Sequence, residues 1–117
     1  MIVCNRHYQK GRYPAACYYI GRPGRIARQE VARGAIDATL LGNPYTLREH
    51  GGKAIRLYKQ WMWEQLRPLC GPVFELLASF PASSYLVCSC APGPCHGDVL
   101  VSAWRWIDDL RDQGDAS

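Results

Sequence analysis

The residues in this chain best equipped for chemistry sit in one short stretch. Cys88, Cys90 and Cys95 fall within eight positions, and His96, Gly97 and Asp98 follow directly. Thiolate and imidazole are the side chains that serve as soft metal ligands, as covalent nucleophiles and as acid–base groups near neutral pH. Three readings fit. In the first, Cys88, Cys90, Cys95 and His96 form a zinc site, because three thiolates and one imidazole make an accepted set. In the second, the segment is a catalytic loop, with Cys95 as nucleophile and His96 as acid, base or phosphate ligand. In the third, the thiols are buried packing residues and His96 or Asp98 simply caps a helix.

Other polar residues stand out by position. Arg22 follows an apolar run and precedes Pro23-Gly24, where its guanidinium could grip a phosphate or carboxylate with two nitrogens. Asn43 lies between Gly42 and Pro44, and its amide either contacts a ligand or closes its own turn. Arg48 falls in a first helical turn, against the preference of the helix dipole. Cys90, Gly97 and Asp98 complete the candidate ligand-binding set, Gly97 because it lets a ligand approach the backbone closely.

The elements that must position these residues read as a small α/β domain. Residues 1–5 and 15–20 are apolar, β-favouring runs, the second ending at Gly21-Arg22-Pro23-Gly24. Residues 25–41 are ambiguous between a short helix from about Ala27 to Ala38 and an extended basic loop. Thr46 and Glu49 fit a capping box. From Lys53, the spacing of Ala54, Tyr58, Trp61 and Met62 predicts a helix that stops at Pro68. A second helix is expected from Pro72 to Phe80. Tyr85-Leu86-Val87-Cys88 reads as a buried strand. A final helix is expected from His96–Asp98 to about Arg111, with Val99, Leu100, Ala103, Trp104, Ile107 and Leu110 on one face. The expected fold is therefore a single Rossmann-like domain over residues 1–112, with a frayed tail at 113–117. It has a short, mainly parallel sheet of about three to four strands flanked by helices. Strand 85–88 followed by the Cys-His loop and helix would place that loop at the carboxyl edge of the sheet. Trp61, Trp63, Trp104 and Trp106 form two W-x-W pairs, in which Trp63 and Trp106 are the more exposed members and a candidate dimer surface.

Composition narrows the function classes. The chain has 117 residues, 48% hydrophobic and 21% charged, as expected for one folded domain. No apolar run approaches membrane-spanning length, and Met1–Lys10 lacks a signal-peptide core, so a cytoplasmic protein without a membrane partner is expected. Six cysteines in a reducing compartment favour thiols or metal binding over disulfides, with Cys4, Cys17 and Cys70 expected to be buried. Residues 1–67 hold twelve Lys or Arg against four Asp or Glu, whereas residues 68–117 hold two against six. A basic half of this kind suits an anionic partner: a nucleotide, a phosphorylated metabolite or a nucleic acid.

Four elements together carry a resemblance. They are Tyr19-Ile20-Gly21-Arg22; Leu41-Gly42-Asn43-Pro44-Tyr45; Arg48 with Tyr58 and Trp61 on the following helix; and Cys88, Cys90, Pro92, Cys95, His96, Gly97 and Asp98. With them, the chain resembles the domain of unknown function 4326 family, small bacterial and phage domains. The resemblance spans about residues 18–101 and implies a compact α/β fold without naming a reaction. A long, arginine-rich link between Arg22 and Leu41 departs from the family pattern.

The leading expectation is a small ligand-binding protein, an enzyme by this reading, acting on a nucleotide or other phosphorylated small molecule. Arg22, Asn43, Arg48 and the loop Cys90–Asp98 would form its site, and Cys95 or His96 would do the chemistry. There is no Walker loop and no G-x-G-x-x-G, so standard triphosphate or dinucleotide sites are not indicated. The alternative is a zinc-stabilised nucleic-acid- or protein-binding module using the basic half. Zinc is the one cofactor the residues suggest, and a homodimer the one self-association.

Overall fold

Among the described residues, four short strands build the sheet: β1 (Ile2–Asn5), β2 (Cys17–Tyr19), β3 (Ile36–Asp37) and β4 (Tyr85–Cys88). The structure is a computed structural model, and it describes residues 1–6, 11–45, 47–88 and 96–115. The strand order is β1-β4-β2-β3, and every pairing is parallel. Val87 of β4 is opposite Cys4 on one side and Tyr19 on the other. Leu86 is likewise opposite Val3 and Tyr18. Because side chains alternate along a strand, these two rows define the two faces of the sheet.

On one face, α1 (Arg25–Ala32) packs Ala27 with Tyr13, Cys17, Tyr19 and Val87. On the other, α3 (Ala54–Leu66), α4 (Pro72–Ala78) and α5 (His96–Asp115) cover Leu86 and Cys88. Ala54, Tyr58, Met62 and Leu66 of α3 recur every four residues and are buried, which is the apolar stripe expected of a core-facing helix. Leu100, Ala103 and Ile107 make the equivalent stripe on α5. A short α2 (Leu47–His50) leads through a 3₁₀ turn into α3. Pro72 opens α4 at its first turn, where its missing N–H costs nothing. The fold is thus a small Rossmann-like α/β domain with a parallel sheet between two helical layers, as the residues predict.

Several details differ from the sequence reading. Residues 25–41 contain neither a helix to Ala38 nor an extended loop. The helix ends at Ala32, the backbone turns at Gly34 with φ +105°, and β3 follows at Ile36–Asp37. A two-residue edge strand is too short to leave a periodic signature. Helix α5 runs to Asp115, past the Arg111 end that its apolar spacing predicts. Cys70 is exposed and Cys4 half-buried, so of that trio only Cys17 is buried as expected. Trp63 and Trp106 are half-buried against the core rather than displayed. Their rings meet edge to face at 5.1 Å, each shielding the other, beside Arg67, Leu69 and Leu110. Thr46 lies outside the described residues. No described helix is long and apolar enough to cross a membrane.

Candidate functional site

Strands β2 and β4 are neighbours, but the helices that follow them leave for opposite faces: α1 after β2, α5 after β4. That divergence opens a crevice at the carboxyl edge of the sheet, the position where ligands bind in open α/β folds. Three segments far apart in sequence meet there.

The first is Ile20-Gly21-Arg22, just beyond β2. Ile20 is fully buried, and its carbonyl oxygen lies 2.8 Å from His96 Nε2. A carbonyl can only accept, so Nε2 carries the proton, and in the neutral ring the lone pair is on Nδ1. The second segment is Leu41-Gly42-Asn43. Leu41 is fully buried, and its carbonyl accepts the Tyr58 hydroxyl at 2.5 Å. The Gly42 backbone runs directly against Gly21, so that a Cβ at Gly42 would lie 2.5 Å from the Gly21 carbonyl oxygen. Arg22 Nε donates back across this contact to the Asn43 carbonyl at 3.2 Å. The third segment is His96-Gly97, the first turn of α5. Gly97 lets the helix close on the sheet, since a Cβ there would fall 2.8 Å from Val3 and 3.3 Å from Ile20. Its small size therefore serves helix–sheet packing.

His96 is 8% exposed and meets the Tyr58 ring edge-on at 5.4 Å. Tyr58 in turn stacks on Trp61 at 5.8 Å, making a row of three rings from the helix start to the surface. Burial pushes the imidazole pKa below its ordinary value, and nearby Arg22 adds to this. The hydrogen bond to Ile20 and the neighbouring Cys88 oppose the shift without cancelling it. His96 is therefore neutral at pH 7. A depressed folded-state pKa means that the unfolded chain binds the proton more readily. The stabilising contribution is complete above the unfolded value of about 6.5 and is lost as pH falls toward the lower folded value. NMR titration of His96 should give a midpoint below 6.5, and urea unfolding should show stability declining from pH 7.5 to 5. In His96→Gln, the part of that decline due to His96 should disappear.

A pocket of about 570 Å³ opens beside this junction. Arg22 and Pro23 line one side, Leu40, Asn43 and Pro44 another, and Trp61 of α3 a third. Arg22 is exposed, and Nε is its tethered end. Asn43 is buried with both ends of its amide occupied: Oδ1 accepts the Tyr45 N–H at 2.8 Å and Nδ2 donates to the Ala54 carbonyl at 3.4 Å. It shapes the pocket by closing its own turn and tying that turn to α3.

The other expected site residues are placed differently. Arg48 is exposed on α2 and does not line the pocket. Asp98 is exposed in the first turn of α5, where its charge complements the helix dipole. Cys88 is fully buried at the end of β4. Cys90 and Cys95 lie outside the described residues, and with them half of the zinc set and the candidate nucleophile. Among the described residues, no group of three or more His, Cys, Asp or Glu is arranged to hold a metal ion. Burial raises the thiol pKa values of Cys4 and Cys17, which makes both poor nucleophiles. Sequence reasoning missed Trp61 as a pocket wall, because its helical spacing marks it equally well as core. It also missed Glu30 of α1, a charged residue that is 1% exposed and salt-bridged to Arg6 and Arg33.

Compared with known proteins, the chain matches one family model, described as Domain of unknown function (DUF4326), over residues 3–106. No curated protein and no solved structure matches it.

Proposed function

The chain belongs to the DUF4326 family, and from that premise we propose that it binds a nucleotide or other phosphorylated small molecule at the β2–β4 crevice and acts on it as an enzyme. One observation carries this reading. Residues 20–22, 42–43 and 96–97, remote in sequence, interlock at the carboxyl edge of the sheet beside a pocket that holds a tethered arginine.

Each group has a distinct task. Arg22, held through Nε, offers its two terminal nitrogens to a phosphate, the geometry in which a guanidinium binds an oxyanion most strongly. The start of α5 adds the partial positive charge of a helix N-terminus. His96, neutral and oriented by Ile20, is the acid–base group of this reading. Cys95, next in sequence, is the nucleophile of the same reading. A reducing, cytoplasmic setting goes with it, supported by the thiols of Cys4, Cys17 and Cys70.

Calorimetric titration with inorganic phosphate and with nucleoside monophosphates tests the proposal. Arg22→Ala should weaken binding by about 2 kcal/mol, roughly thirtyfold. Because Arg22 is exposed, its removal should leave the melting temperature nearly unchanged. Equal affinity in wild type and Arg22→Ala would refute the assignment.

A further inference from the structure

Resting on that reading of the crevice, we infer that its ligand is a nucleoside monophosphate, with the base stacked against Trp61 and the phosphate at Arg22. Among the described residues, the pocket pairs one tethered cation with walls that are otherwise largely apolar: Pro23, Leu40, Pro44 and the Trp61 indole. Its remaining polar side chains narrow the ligand further. The Asn43 amide is engaged at both ends, with Tyr45 and with Ala54. Among the described lining residues, the Thr39 hydroxyl and the Trp61 indole N–H are the other side-chain groups that can hydrogen-bond.

A sugar phosphate alone leaves the apolar part of this lining unused, because it carries no flat ring to set against the indole. A nucleoside monophosphate shares the ribose and the phosphate and adds that ring: the phosphate meets the guanidinium and the base covers the apolar area. The volume of about 570 Å³ is of the right order for a base and a phosphate. One guanidinium among the described lining residues, in a chain without a Walker loop, matches one phosphate better than three.

Trp61 is built to act as a platform. Tyr58 stacks on it at 5.8 Å with the rings 23° apart, and Tyr58 is itself fully buried and anchored through its hydroxyl. The indole is thus backed by an immobile ring while it faces the pocket. Stacking on a preordered indole loses little conformational entropy and does not depend on the identity of the base. Beyond Tyr58 the row continues to His96, so a ligand seated on Trp61 touches the same rigid unit that holds the imidazole.

The test is calorimetric titration of the full chain with four probes: adenosine 5′-monophosphate, uridine 5′-monophosphate, ribose 5-phosphate and inorganic phosphate. Both nucleotides should bind about tenfold or more tightly than ribose 5-phosphate. Trp61→Leu should remove that difference and leave the affinity for phosphate unchanged. Trp61→Phe, which keeps a stacking ring and a packed core, should retain most of it. Nucleotides and ribose 5-phosphate binding equally, yet still through Arg22, would overturn the stacking inference and leave the anion site standing. If no probe bound, or binding ignored Arg22→Ala, both would fall.

Discussion

Replacing Glu30 with alanine should destabilise the domain by about 3 kcal/mol, the largest effect expected of any single surface-to-core polar change here. Glu30 is 1% exposed, and its carboxylate accepts from Arg6 Nε at 3.0 Å and from an Arg33 terminal nitrogen at 3.0 Å. The Tyr13 hydroxyl donates to Oε2, the oxygen that also accepts from Arg33, and the Arg33 guanidinium lies 4.6 Å from the Tyr13 ring centre. Burial, reinforced by the adjacent carboxylate, pushes the Tyr13 phenol well above its ordinary value, so it stays protonated and keeps donating. Removing the carboxylate leaves two guanidiniums facing a cavity and the phenol without its acceptor. A fully buried pair would lose about 3–5 kcal/mol on such a change. The lower end applies because Arg6 and Arg33 retain side-chain exposures of 16% and 28%. For a chain of this size that corresponds to a fall of about 12 °C in melting temperature. Glu30→Gln preserves shape and some hydrogen bonding and should recover part of the loss. A calorimetric shift of only about 2 °C for Glu30→Ala would show that the cluster contributes no net stability.

Gly42→Ala should cost about 2 kcal/mol and, with it, most of the phosphate binding. The added methyl would sit 2.5 Å from the Gly21 carbonyl oxygen and 3.0 Å from that of Thr39. Both obstacles are backbone, so rotating a side chain does not relieve the clash. The loop must retreat from residues 21–22, taking with it the Asn43 carbonyl that holds Arg22 Nε. Gly97→Ala is a useful contrast. There the obstructing atoms are methyl groups of Val3 and Ile20, which can shift, so a smaller loss of stability is expected. Unfolding in urea, paired with phosphate titration of each variant, separates the two effects. Gly42→Ala retaining wild-type phosphate affinity would break the proposed link between the glycine contact and the Arg22 tether.

The regular elements are legible in the sequence wherever apolar spacing is dense. Ala54, Tyr58 and Met62 announce α3, Leu100, Ala103 and Ile107 announce α5, and Tyr85–Cys88 announces a buried strand, each from local pattern alone. Pro72 marks the start of α4 for a reason intrinsic to its ring. Membership of the family was likewise visible in short motifs. The same motifs say little about what each residue does. Gly42 reads as a loop residue until Gly21 is seen against it, and Asn43 reads equally as a ligand contact or a turn former. Its two amide bonds decide for the turn.

What the sequence determined by itself is therefore periodicity: which stretches bury a face, where they break, and that a basic half precedes an acidic one. These follow from interactions among near neighbours. Tertiary structure alone decided which strands lie side by side, and hence that α1 and α5 diverge from adjacent strands to open a crevice. It decided that Arg22, Gly42 and His96 meet there, and that Glu30, one acid in an arginine-rich segment, is buried as the partner of Arg6, 24 residues away. Contacts of this kind depend on chain segments that share no local pattern. The order of a parallel sheet is set by burial of whole elements, a property that no single stretch of residues contains.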